Sequence, residues 1–147
     1  MKFTALLFLV SLLAGCATHR DDTRLQGTWH SNRDATVTAA FQRDPRWTNA
    51  PPERVARFRD IFGHITVTYS HGVGTIDYRG KSDSFRYHVI KRGDDYVVIR
   101  SDAPMDIGRD LWIRFVEEDT GYWIDTGPLG FGIQERFDKM TTPPNTH

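Results

Sequence analysis

The stretch His64-Ile65-Thr66-Val67-Thr68-Tyr69-Ser70-His71-Gly72-Val73-Gly74-Thr75-Ile76-Asp77-Tyr78-Arg79 decides the fold. Ile65, Val67 and Tyr69 alternate with His64, Thr66 and Thr68. Successive side chains of an extended chain point to opposite faces, so this period of two is that of a strand with one apolar side. The run stops at Ser70-His71-Gly72, which makes a tight turn into a second run from Val73 to Arg79. A lone hairpin is marginal in water, so this one needs further strands to cover its apolar side.

Those strands follow at short intervals. Gly80-Lys81-Ser82-Asp83 reads as the next turn, and Phe85, Tyr87 and Val89 then alternate with Arg86 and His88. Arg92-Gly93-Asp94 leads into Tyr96 to Arg100. Leu111, Ile113 and Phe115 alternate through Arg114, Glu117 to Gly121 turns the chain, and Tyr122 to Thr126 returns. Gly127-Pro128 opens a final run through Phe131, Ile133 and Phe137. A first strand is expected to start at Gly27 and run toward Phe41. Unpaired sheet edges invite association, and closure removes them. The expected fold is therefore mainly β: an antiparallel up-and-down barrel of about eight strands.

One segment breaks the period. In Pro51 to Phe62, Val55, Phe58, Ile61 and Phe62 fall at helical spacing, with Arg54, Arg57 and Asp60 on other faces. The prolines suit a first helical turn, Asn49 or Thr48 is placed to cap it, and Gly63 is placed to end it. One short helix after the first strand is expected, either as a plug in one end of the barrel or as a lid over a ligand cavity. Both roles fit the same spacing.

The chain opens with Lys2, an apolar run from Phe3 to Leu13, and Leu13-Ala14-Gly15-Cys16. The run is too short for a hydrocarbon core that needs about 20 helical residues to cross. It resembles a secretion signal ending in the lipobox of bacterial lipoproteins. The resemblance implies that residues 1–15 are removed and that Cys16 becomes an N-terminus carrying a diacylglyceryl thioether and an N-acyl group. Two or more acyl chains hold a protein stably on a bilayer. Ala17 stands where an aspartate would imply retention at the inner membrane, so the resemblance implies the outer membrane of a two-membrane cell, on its periplasmic side. Residues 16–24 are polar and charged and suit a solvated linker. The barrel domain is expected over 25–140, and residues 141–147, with Pro143 and Pro144, as a frayed tail.

Cys16 is the only cysteine, so disulfides, a thiol nucleophile and a thiolate metal site are excluded within one folded chain. Losing Lys2 with the signal leaves 18 basic against 19 acidic residues, a net charge of −1. That balance carries no footprint for nucleic acid. No two of the six histidines have the close helical spacing of zinc enzymes. No serine sits in a Gly-x-Ser-x-Gly elbow. The acidic residues gather in turns such as Asp94-Asp95 and Glu117-Glu118-Asp119. Neither a catalytic set, a metal site nor a cofactor is expected.

Leu25-Gln26-Gly27-Thr28-Trp29 resembles the Gly-x-Trp entry to the first strand of lipocalins and the other calycin barrels. The resemblance implies that Trp29 closes one end of the barrel and that Arg136, in Ile133-Gln134-Glu135-Arg136-Phe137, packs over it by cation–π attraction. Aromatic residues are plentiful, with four tryptophans and five tyrosines. Most are expected as core. In a hollow barrel, Trp29, Tyr69, Tyr87 and Phe115 would line a cavity with polar groups such as Arg86 or Arg114. The leading expectation is a lipid-anchored, non-enzymatic envelope protein that binds a small hydrophobic or amphipathic ligand. The alternative is a filled barrel that docks on an envelope protein assembly, because arginine and aromatic residues also anchor interfaces.

Overall fold

Strands β1 (Gly27–Ser31), β2 (Ile65–Ser70), β3 (Val73–Tyr78), β4 (Lys81–Arg92), β5 (Tyr96–Ser101), β6 (Asp110–Val116), β7 (Gly121–Asp125) and β8 (Gln134–Lys139) close into one antiparallel barrel in chain order. They come from a computed structural model that describes residues 21–103, 110–125 and 134–141. β1 shuts the barrel by pairing with both β2 and β8, which sets Trp29 opposite Val67 on one side and Lys139 on the other. The expected signal with Cys16, the linker through Arg20, the run from Thr126 to Ile133 and the tail from Thr142 lie outside the described residues.

The hairpins follow from turn chemistry. His71 and Gly72 have φ of 50° and 79°, and Arg79 and Gly80 have 47° and 81°. Two successive positive φ values match the right-handed twist of the flanking strands in a two-residue turn. β4 begins at Lys81 rather than after a turn through Asp83, because pairing with β3 gives the polar Ser82-Asp83-Ser84 backbone its partners. Gly74 on β3 is required by close approach: the Phe85 ring from β4 occupies the space that a Cβ would fill.

Alternation sends Trp29, Val67, Tyr69, Phe85, Ile99, Ile113, Tyr122 and Phe137 into one core. Trp29, Ile99, Ile113 and Tyr122 are wholly inaccessible. Full burial of such side chains contributes on the order of 1.5–3 kcal/mol each before chain entropy is counted.

The first strand is shorter than expected. It ends at Ser31, and Asn32 caps a helix, α1 (Arg33–Arg43), by accepting a hydrogen bond from the Ala35 N–H at 2.9 Å. Thr36-Val37-Thr38 has the β-branched look of a strand, yet Val37, Ala40 and Phe41 lie at helical spacing and pack in one cluster with Phe58 and Phe62. Packing overrides propensity here. A 3-10 turn (Pro45–Trp47) leads to the expected helix, α2 (Pro52–Arg59). Neither Thr48 nor Asn49 caps α2; Pro51 holds the cap position without a side-chain bond.

The fold also begins earlier than Leu25. Asp22 is only 6% exposed and accepts from Arg24 Nη2 at 2.9 Å and Arg92 Nε at 3.3 Å. Arg24 in turn donates to the carbonyls of Gly93, Asp94 and Tyr96. Asp22 and Arg24 are held by the end of β4 and the β4–β5 turn, and Asp21 accepts from the Tyr87 hydroxyl, so residues 21–24 pack on the barrel rather than forming a solvated linker.

Candidate binding site inside the barrel

The two ends of the barrel differ. At one, the segment from Asp21 to Gln26 runs beneath the strands: Leu25 is fully buried, and Trp29 Nε1 donates to its carbonyl at 2.7 Å. Lys139 Nζ lies 5.0 Å from the Trp29 ring, and the Arg24 guanidinium lies 4.8 Å from that of Phe115. This end is sealed. At the other, β1 runs into α1, and α1 packs on β8 while α2 packs on α1.

Arg136 does not lie over Trp29. It stands three residues from Lys139, and an odd offset puts it on the outer face. There it bonds Asp138 at 2.6 Å and Glu117 at 2.9 Å and lies 5.8 Å from the Trp123 ring, in space that Gly121 leaves open. The cation over Trp29 does come from the last strand, but it is Lys139. Arg86 is likewise not an interior group: Phe85 and Tyr87 take the inner face, and Arg86 is exposed, its N–H donating to Asp102 at 2.6 Å. Arg114 is also outside, 3.9 Å from Asp95.

Trp29, Tyr69, Tyr87 and Phe115 are all buried and share the core. Tyr122 lies 4.7 Å from Trp29 and stacks on Phe137 at 5.1 Å, while Tyr69 meets Tyr87 edge-on at 5.3 Å. Such pairs contribute about 0.5–1.5 kcal/mol each beyond burial. The Tyr87 hydroxyl donates to Asp21. Burial and that carboxylate push its pKa up, so it stays a neutral donor.

The polar interior is made by residues that the sequence reading passed over. Glu135 on β8 is 3% exposed and faces inward, where the Ser31 hydroxyl donates to it. The same Ser31 oxygen accepts from the Gly63 N–H at 2.9 Å, so a polar chain links the end of α2 to the inside of β8. Burial pushes the Glu135 carboxyl up, against the Ser31 hydrogen bond, which lowers it. Tyr122 Oη is fully buried, and Tyr69 is the hydrogen-bonding side chain beside it. Its polar neighbours are Tyr69 and Glu135, and burial holds its pKa well above the ordinary range. The signal for Glu135 was parity, since it is two residues from the inward Phe137.

The helices form a second, smaller core of Val37, Phe58 and Phe62 flanked by Phe41 and Trp47. It is joined to the barrel by polar bonds. Thr36, fully buried, accepts from the Arg136 N–H at 2.9 Å, and Arg43 Nη2 donates to Gln134 Oε1 at 2.7 Å. The described histidines are scattered: His30 bonds Thr66, His64 the Asp60 carbonyl and His71 Ser70. Among the described residues no three His, Asp or Glu side chains converge as a metal set, and no helix is long and apolar enough to cross a membrane. The chain matches no family model, no curated protein and no solved structure.

Proposed function

We propose that this is a lipid-anchored, non-enzymatic protein of the bacterial cell envelope, held at the periplasmic side of the outer membrane through Cys16, whose barrel binds a small amphipathic molecule at its helix-bearing end. The observation that carries the reading is a buried polar set, Tyr122 with Tyr69 and Glu135, enclosed by the aromatic core. A buried polar group with incomplete hydrogen bonding costs up to about 1–3 kcal/mol, and native proteins keep few of them. A ligand hydroxyl or amine beside Tyr122, Tyr69 and Glu135 relieves that cost, and the ligand's apolar part packs on the surrounding rings. α1 and α2 are suited to be a lid, since they have their own core and a polar hinge at Ser31 and Gly63.

Native mass spectrometry and lipid extraction of the protein purified from its own membrane test this reading. We expect one small molecule per chain, depleted at least tenfold in a Tyr122→Phe, Glu135→Gln double variant. Recovery of a protein partner with no small molecule would overturn the reading in favour of a filled docking module. The anchor is tested separately: Cys16→Ser protein is expected in the soluble fraction, and equally firm membrane attachment would refute it.

A further inference from the structure

Trp112 on β6 points away from the core, between the inward Leu111 and Ile113, and is 50% exposed. The Tyr96 ring lies 5.3 Å from it, and Lys91 Nζ lies 5.4 Å from Trp112 and 5.6 Å from Tyr96. Ile90, 40% exposed, stands where β4 slips its register against β5 between Val89 and Lys91. Gly93 has no side chain to displace the Tyr96 ring, which covers its Cβ position. Two amphipathic rings, an exposed aliphatic side chain and a lysine whose stem can lie along them make up the chemistry of a bilayer interface. Trp and Tyr settle at headgroup depth there, and lysine keeps its ammonium in water.

The position of the patch selects its occupant. Arg92, the residue after Lys91, donates to the Asp21 carbonyl at 2.6 Å, and Arg24 donates to the carbonyls of Gly93, Asp94 and Tyr96. The chain entering from Cys16 is therefore bound at the edge of this patch. Only Ala17 to Arg20 separate Cys16 from Asp21, and five residue steps reach at most about 18 Å. Trp112 lies two strands from the end of β4, about 10 Å across the sheet. Such a short tether keeps the patch close to the lipid surface.

We infer that the outer face of β4 to β6 formed by Ile90, Lys91, Tyr96 and Trp112 rests on the bilayer that holds Cys16. The sealed end and one wall of the barrel then meet the membrane, and the helix-bearing end opens toward the aqueous side. The inference rests on the lipid anchor of the proposed function.

Brominated-lipid quenching tests it. The full protein is extracted from its own membrane, the acyl mass on Cys16 is measured, and the protein is reconstituted into phosphatidylethanolamine and phosphatidylglycerol vesicles with and without bromine on the acyl chains. Bromolipid is expected to quench tryptophan emission, and Trp112→Phe is expected to cut the quenched fraction at least twofold with an unchanged unfolding temperature. Acylated, vesicle-bound protein whose quenching does not depend on Trp112 would overturn the inference. So would a Trp112 shielded only when a protein partner co-purifies. Protein without acyl mass would overturn the anchor reading instead. Coupling Cys16 to a maleimide phospholipid then restores the tether, and the same comparison decides the face.

Discussion

The barrel and its helical annex are built by different means. In the barrel, every strand is paired on both sides and large rings meet inside, with Trp29 and Tyr122 wholly inaccessible. In the annex, three buried apolar residues hold two short helices together, Phe41 and Trp47 are only partly covered, and the join to the barrel runs through hydrogen bonds at Ser31, Thr36 and Arg43. Regions with few buried apolar contacts open locally at less than the global free energy, and lids are drawn from such regions. The same chain thus holds a closely packed barrel and a more loosely held pair of helices.

The largest effect expected from a test of that contrast is at Trp29. Trp29→Ala should lower global stability by about 3–5 kcal/mol in urea unfolding followed by near-ultraviolet circular dichroism, because the site is fully enclosed. A loss under 1 kcal/mol would mean that the sealed end is not the structural base of the molecule.

Phe58→Ala removes the ring shared by Phe41, Trp47 and Phe62. Its cost should fall below that range, about 2 kcal/mol, since the annex can loosen around it. Hydrogen exchange should then show lost protection in α1 and α2 with the barrel amides unchanged. Equal loss in both would make the molecule one cooperative unit and erase the distinction.

Acid–base behaviour separates the two ends more gently. Glu135 at the helix end has its carboxyl raised above 4.5, so the fold binds a proton more tightly than the unfolded chain. Its stabilisation is complete below pH 4.5 and is lost as pH rises through the folded-state value, at no more than about 1.4 kcal/mol per pH unit for one proton. Glu135→Gln should flatten that slope. Asp22 at the sealed end has the opposite sign. Burial raises its carboxyl, but the hydrogen bonds and charges of Arg24 and Arg92 prevail and lower it below 3.8. Its contribution is present above pH 3.8 and disappears as pH falls through the folded-state value. Thermal melts across pH 2 to 8 check both signs.

The smallest effect is expected at the junction. Asn32→Ala removes the cap of α1 and should cost about 1 kcal/mol, read as earlier exchange of the α1 amides.

Much of this architecture is legible in the amino-acid order alone. Period-two runs at Ile65, Val67 and Tyr69 and at Leu111, Ile113 and Phe115 are strands with those side chains buried or packed on the core. Where the reading failed, two local signals competed. Thr36-Val37-Thr38 favours a strand by β-branching, while Asn32 and the spacing of Val37, Ala40 and Phe41 favour a helix. Only the facing surface of α2 resolves that contest. Arg136 and Arg86 failed for a simpler reason. Each had a plausible partner by chemistry, but parity from Phe137, and from Phe85 and Tyr87, puts both outside.

Alternation, turn residues and apolar spacing are local, so the number and order of strands, the single cysteine and the short apolar run from Phe3 to Leu13 belong to the amino-acid order itself. Closure brings residues far apart in the chain to the same place, and local pattern carries no information about such meetings. The pairing of Trp29 with Lys139 and the burial of Glu135 under Ser31 exist only because the first and last strands share an edge, and Asp22 meets Arg92 only because β4 returns to the start of the domain.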